Sequence, residues 1–217
     1  MGEDRKLSRN RLIVIEGPIG VGKTSLANLL ARELDADLHL EKVEENPFLH
    51  NFYQDPEKWA FQTQLFFLLS RSRQLEALVQ QSLFSAVTLT DYFFPKDRIF
   101  AYMNLTEEEL VLYEQIYQLL NPTLPKPDLV VFLQANTDTL LNRINQRGRS
   151  YEKAIDPEYL VQLNEAYNRF FFHYEESPLL VIQTSDIDFV NHPADLSDLV
   201  CRIKEMKKGT IYYHPQR

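Results

Sequence analysis

Residues 13 to 37 read IVIEGPIGVGKTSLANLLARELDAD, and within them Gly17-Pro18-Ile19-Gly20-Val21-Gly22-Lys23-Thr24 satisfies G-x-x-x-x-G-K-[ST]. An apolar β-rich run leads into the glycines. Helical spacing at Leu26, Leu29, Leu30 and Leu34 follows them. This strand–turn–helix order is the context in which the motif has meaning, and it predicts the opening unit of a parallel α/β sheet. Glycines let the backbone curl until successive N–H groups point at phosphate oxygens, and the helix N-terminus adds partial positive charge. Lys23 then reaches the β and γ phosphates of ATP, Thr24 ligates Mg²⁺, and Ser25 completes the nucleotide-binding run. The rival reading is a glycine turn that holds nothing; the flanking strand and helix speak against it.

Five β-rich runs alternate with longer helical patterns. They are RLIVIE (11–16), LHLEKV (38–43), AVTLTD (86–91), LVVFLQ (129–134) and LLVIQT (179–184), each suited to a strand covered on both faces. Asp55-Pro56 caps a long helix over about 57–81. Thr106-Glu107-Glu108-Glu109 is a capping box, and a helix over 136–146 stops at Gly148. Asp156-Pro157 opens a helix reaching His173, and a last one runs from Pro193 to Lys207. The expected fold is α/β of the P-loop kinase type: a five-stranded parallel sheet with helices on both faces and an arginine-rich lid. NPTLPKPD (121–128) is too short to link domains, so a single domain over 1–217 is expected. The tail KKGTIYYHPQR has no assigned structure.

Composition narrows the function. Net charge of −8 argues against a nucleic-acid partner, because that role needs a basic surface. No apolar run approaches the ~20 residues of a membrane span, so no membrane partner is expected. MGEDRKLSRN has no apolar stretch and is no secretory signal; Lys6 stands where a myristoylation motif wants Ser or Thr. A single cysteine, Cys201, rules out an internal disulfide and fits a cytoplasmic location.

A phosphate cradle leaves the acceptor open. N-K-x-D, the guanine-reading element of a switch GTPase, is not present, whereas the parts of a small-molecule kinase are. In a parallel sheet ligands sit beyond the carboxyl ends of the strands. Glu41, late in the second strand, is placed to take the proton of an attacking hydroxyl, and Asp91, ending the third, to hold Mg²⁺. Glu41 also reads as one charge among three in a solvated turn with Glu44 and Glu45. Arg143 and Arg147 share a helical face and Arg149 lies just beyond it, which suits a phosphate clamp as well as an ordinary arginine-bearing surface. The helix DPEKWAFQTQLFFLLSRSRQL carries Trp59, Phe61, Phe66 and Phe67 together with Gln62 and Gln64. A buried glutamine amide without a partner costs roughly 1–3 kcal/mol, and a heterocycle edge satisfies it; spacing does not choose between the two.

Taken together, IEGPIGVGKTS, E-x-V at Glu41, NPF at 46–48, FYQDPEKWAFQTQ at 52–64, DYFFPKDRIFA at 91–101 and RINQRGRSYEK at 143–153 resemble the deoxynucleoside kinase family, in its bacterial deoxyadenosine and deoxyguanosine kinase branch. The likeness runs through nearly the whole chain. It implies transfer from ATP with Mg²⁺ to the 5′-hydroxyl of a deoxynucleoside in nucleotide salvage, in a homodimer. It also implies Glu41 as general base, Tyr53 and Glu152 on the 3′-hydroxyl, Gln64 on the base, Asp97 or Arg98 in the base or 5′ region, and Arg143, Arg147 and Arg149 in the lid. Animal members carry Glu-Arg-Ser where this chain has Asp91-Tyr92-Phe93, which leaves Tyr92 without a transferred role. An aspartate in the pocket prefers exocyclic amino groups, so thymidine is the least expected acceptor; the residues do not choose between purines and cytosine, and the resemblance to the bacterial branch implies deoxyadenosine or deoxyguanosine, with deoxycytidine the alternative. Two alternatives are a nucleoside monophosphate kinase and a non-catalytic nucleotide-binding regulator.

Overall fold

The computed structural model describes residues 11–81, 86–121, 124–149, 151–152 and 155–214. The readings made for the first ten residues lie outside that range, as do residues 122–123 of the proline-punctuated loop and 215–217 of the tail. The strands are β1 (Arg11–Glu16), β2 (Asp37–His39), β3 (Val87–Thr90), β4 (Leu129–Gln134), β5 (Leu179–Gln183) and β6 (Thr210–Tyr213). They pair in parallel throughout, in the order β2-β3-β1-β4-β5-β6. The helices are α1 (Lys23–Leu34), α2 (Leu49–Gln54), α3 (Pro56–Gln81), α4 (Asp97–Asn104), α5 (Glu107–Leu120), α6 (Thr137–Arg147), α7 (Pro157–Phe172) and α8 (Pro193–Glu205).

Consecutive residues of a strand point to opposite faces, so burial of Ile13, Val14 and Ile15 in β1 and of Leu129 through Leu133 in β4 means that both faces are covered. The local signals behave as chemistry dictates. Thr106 and Glu109 form the reciprocal capping box of α5. Asn136 caps α6, which ends at Gly148 with φ +69, and Asp156 caps α7 ahead of Pro157. The aromatic helix α3 mostly packs: Leu68, Leu75 and Leu78 join Tyr92, Phe94, Tyr113 and Tyr117 in a second core beside the sheet. Tyr92, 1% exposed, thereby acquires a packing role.

Three expectations need correction. The sheet has six strands rather than five, because the tail supplies β6 on the open edge of β5. Its Ile211 and Tyr212 are exposed, so no apolar alternation announces it; Tyr213 anchors it by donating to Asp198 beneath the Arg202 guanidinium, 3.8 Å from the ring centre. The second strand stops at His39, so Glu41 stands in irregular backbone after the strand instead of within it. Finally, α2 and α4 are additional short helices.

Candidate active site at the carboxyl ends of the strands

β1 delivers the chain into the glycine turn. Gly17, Gly20 and Gly22 all adopt positive φ. A Cβ on Gly17 would fall 2.5 Å from the Leu133 carbonyl oxygen, and one on Gly20 would fall 2.8 Å from Ile144 Cγ1 and the Leu140 carbonyl oxygen. The cradle is therefore seated directly on β4 and α6. Gly22 caps α1 without any side-chain hydrogen bond, leaving first-turn N–H groups for a ligand. Lys23 arches over the loop, donating to the carbonyls of Gly17 at 2.7 Å and Pro18 at 3.1 Å. Burial lowers its ammonium to about 8 against the upward pull of Glu16. Pro18, Ile19 and Val21 shape the turn, and Thr24 and Ser25 are exposed at its mouth.

Asp91, the first residue beyond β3, joins cradle to acceptor side. Its Oδ2 accepts from the Thr24 hydroxyl at 2.6 Å and its Oδ1 from the Glu41 backbone N–H at 2.7 Å. A hydroxyl beside a carboxylate is the oxygen-donor pair that suits Mg²⁺ carried in on nucleotide phosphates, since that ion keeps several waters. Among the described residues no cluster of three or more His, Cys, Asp or Glu is arranged to hold a metal ion.

Behind this pair lies a buried ionic network that sequence reading missed. Arg71 of α3 grips Oε1 of Glu41, from Nε at 2.6 Å and from Nη2 at 2.5 Å, and its Nη1 bonds Asp97. Lys96 approaches Glu41 Oε2 at 3.1 Å and Glu16 Oε2 at 3.3 Å. Glu16, wholly buried, accepts from Gly17 N–H at 2.8 Å and from the Tyr167 hydroxyl at 3.3 Å. Burial would raise the Glu41 carboxyl, but Arg71 and Lys96 outweigh it and hold it near 2. For Asp97 burial wins over Arg71, and its carboxyl rises to about 6. The paired ions stand from 26 residues apart (Arg71 and Asp97) to 80 (Lys96 and Glu16), so no local pattern pairs them. One signal was readable: Gln64, Phe67 and Arg71 fall on one helical face.

A cavity opens from the cradle toward α3, lined by Glu41, Tyr53, Gln64, Phe67, Arg71 and Glu152 among others. Gln62 is exposed and Gln64 is buried on the cavity side, so geometry chooses the latter. Gln64 Nε2 donates to both the backbone oxygen and Oδ1 of Asp97 at 2.8 Å, which fixes the amide and leaves its oxygen to accept from a ligand. Asp97 itself is fully buried behind Gln64 and Arg71 and does not line the cavity; both side chains bond its Oδ1. Arg98 also departs from expectation. It pairs with Glu114 at 2.8 Å and the Tyr102 hydroxyl at 3.1 Å, away from the cavity, because successive residues of a helix face different sides.

The three arginines line a second, wider cleft beside the cradle, bordered by residues 185–191. Each is held by protein. Arg143 donates to the backbone oxygens of Val21 at 3.1 Å and Thr184 at 2.8 Å. Arg147 forks onto Glu152, at 3.1 Å from Nε and 2.5 Å from Nη2, and Arg149 lies 3.4 Å from Glu44. Arg147 and Arg149 border both cavities, together with Gly20, Lys23 and Thr24. The two spaces thus meet where a phosphate on the cradle would end.

A family model described as deoxynucleoside kinase matches residues 13–208. The chain is 39% identical to the deoxyguanosine kinase of Bacillus subtilis (strain 168), over 89% of this chain and 96% of that one. It is 28% identical to the deoxyadenosine/deoxycytidine kinase of the same organism, over 93% and 95%. The solved deoxyadenosine kinase from M. mycoides with bound dATP superposes with a TM-score of 0.75 at 26% identity, covering 90% of this chain and all of that one. With cradle, strand-end carboxylates and paired cavities arranged as described, these matches place the chain in the deoxynucleoside kinase family.

Proposed function

We propose that this kinase moves the γ-phosphoryl group of ATP, as its Mg²⁺ complex, onto the 5′-hydroxyl of a purine deoxynucleoside. One observation carries the reading: the Thr24–Asp91–Glu41 hydrogen-bonded chain, which links the phosphate cradle to a carboxylate facing the neighbouring cavity. The nucleotide occupies Gly17 to Ser25 and the wider cleft; the nucleoside occupies the cavity under α3. Thr24 and Asp91 hold Mg²⁺, which offsets phosphate charge when bound. Lys23, Arg143, Arg147 and Arg149 spread the charge of the moving group. Tyr53 and Glu152 meet the sugar 3′-hydroxyl, and the oxygen of Gln64 accepts from an exocyclic amino group of the base. Glu41 takes the hydroxyl proton as the oxygen bonds to phosphorus and the bond to the β-phosphate oxygen breaks. Held near 2, Glu41 is a weak base, but in a loose transition state the proton leaves late and orientation matters more than basicity. Deoxyguanosine and deoxyadenosine are favoured acceptors, as in the names of the bacterial relatives.

The test is turnover of ATP against a panel of deoxynucleosides and their monophosphates. Phosphorylation of purine deoxynucleosides is the expected result; activity on the monophosphates alone would replace the reading with a nucleoside monophosphate kinase. In the same assay Gln64→Ala should raise KM for the nucleoside by about tenfold or more, one lost buried hydrogen bond's worth, with KM for ATP little changed. Equal effects on both would return Gln64 to a packing role.

The enzyme is proposed to act in the cytoplasm as a single domain spanning 1–217 and as a homodimer. On α5, Val111, Leu112 and Leu119 are exposed, an apolar face fit for a second copy. Light scattering should give twice the 25.5 kDa chain mass, and a monomer at micromolar concentration would refute this.

A further inference from the structure

Glu41 sits in irregular backbone, so neither strand nor helix fixes where its carboxylate points. Two cations do that work from opposite sides. Arg71 holds Oε1 and Lys96 holds Oε2. Lys96 closes the 3-10 turn Phe94–Lys96, is 2% exposed, and lines the cavity. An ammonium so buried persists only when paired, and here it lies between Glu41 and Glu16, 3.1 and 3.3 Å away. Glu16 Oε2 makes no hydrogen bond, and Lys96, ahead of Lys23, is the cation that offsets its charge.

We propose that Lys96 is a positioning residue for phosphoryl transfer: suspended from Glu16, its ammonium holds the free oxygen of Glu41 toward the acceptor hydroxyl. Without it, Glu41 Oε2 has no partner on that side, and the carboxylate turns to take both forks of Arg71. A nucleoside still binds, since Gln64, Tyr53 and Glu152 are untouched, but the proton acceptor is misaligned. Misplacement of about 1 Å at a reacting group costs on the order of a hundredfold in rate. The inference rests on Glu41 being the proton acceptor. The competing role for Lys96 is purely structural, to neutralise Glu16 beneath the cradle.

Variants separate the two roles. Lys96→Met should lower kcat about a hundredfold with KM for the deoxynucleoside held within about threefold, and Lys96→Arg should recover part of the loss. In Lys96→Met/Glu16→Gln the buried carboxylate no longer needs a counter-charge, so thermal stability returns while the loss of kcat remains. Recovery of kcat in that double variant, unchanged kcat in Lys96→Met, or a change confined to KM would overturn the proposal. Lys96→Met added to Glu41→Gln should have no further effect, because residues acting through one another are not additive. Full additivity there would show that Lys96 does not act through Glu41. Near-normal turnover in Glu41→Gln alone would instead remove the parent reading.

Discussion

Glu41→Gln is expected to lower kcat by about three orders of magnitude while the Kd for a purine deoxynucleoside stays within a few-fold, the signature of a lost general base. The amide keeps the shape of the side chain and its oxygen can still accept from Arg71, so the cavity is preserved. It cannot take a proton. Calorimetric titration of the nucleoside alongside steady-state rates separates binding from chemistry, and an unchanged kcat would take Glu41 out of the reaction. Arg71 should lose part of its hold on position 41 in this variant, because a guanidinium facing an amide oxygen gains less than one facing a carboxylate.

Arg71→Met is expected to be the most destabilising change near the site. Arg71 is the shared counter-charge of Glu41 and Asp97, and breaking a buried pair by removing one partner typically costs about 3–5 kcal/mol. The deficit should depend on pH in a definite sense. Burial already raises the Asp97 carboxyl to about 6 despite Arg71, and without Arg71 it rises further. A carboxyl raised in the folded state binds more protons there than in the unfolded chain, so stability falls as pH climbs through that range. Denaturant unfolding of Arg71→Met should therefore show a gap to the unaltered protein that narrows toward pH 5 and widens toward pH 8. Arg71→Met/Asp97→Asn should regain much of the loss. A pH-independent gap of under about 1 kcal/mol would mean that solvent reaches these carboxylates and screens them.

The parts of the site that sequence displays are those built from neighbouring residues. A strand, a glycine turn and a helix start lie within 24 positions, and each capping signal at Thr106, Asn136 and Asp156 needs only the next two or three residues. The strand-end position of Asp91 is legible because a carboxylate directly follows an apolar run, and that run is β3. What stayed hidden was assembled by folding. Lys96 in a run of aromatics and Arg71 on an aromatic helix gain their meaning from Glu41 and Glu16, which other elements supply. Asp97 and Arg98 show the converse. They are adjacent in sequence, yet one turns inward behind Gln64 and the other toward α5. The strand β6 escaped because an edge strand with exposed side chains has no two-sided burial to imprint on its composition.

The seating of Gly20 against Leu140 and Ile144 also decides what can shift when both substrates are present. Those two residues are buried members of the main core, and Arg143 bolts the same helix to Val21 and Thr184. The helix that carries Arg143 and Arg147 is thus part of the floor. For Arg147 to leave Glu152 for a phosphate, only torsions of its own side chain have to turn, an event that surface side chains complete in picoseconds to nanoseconds.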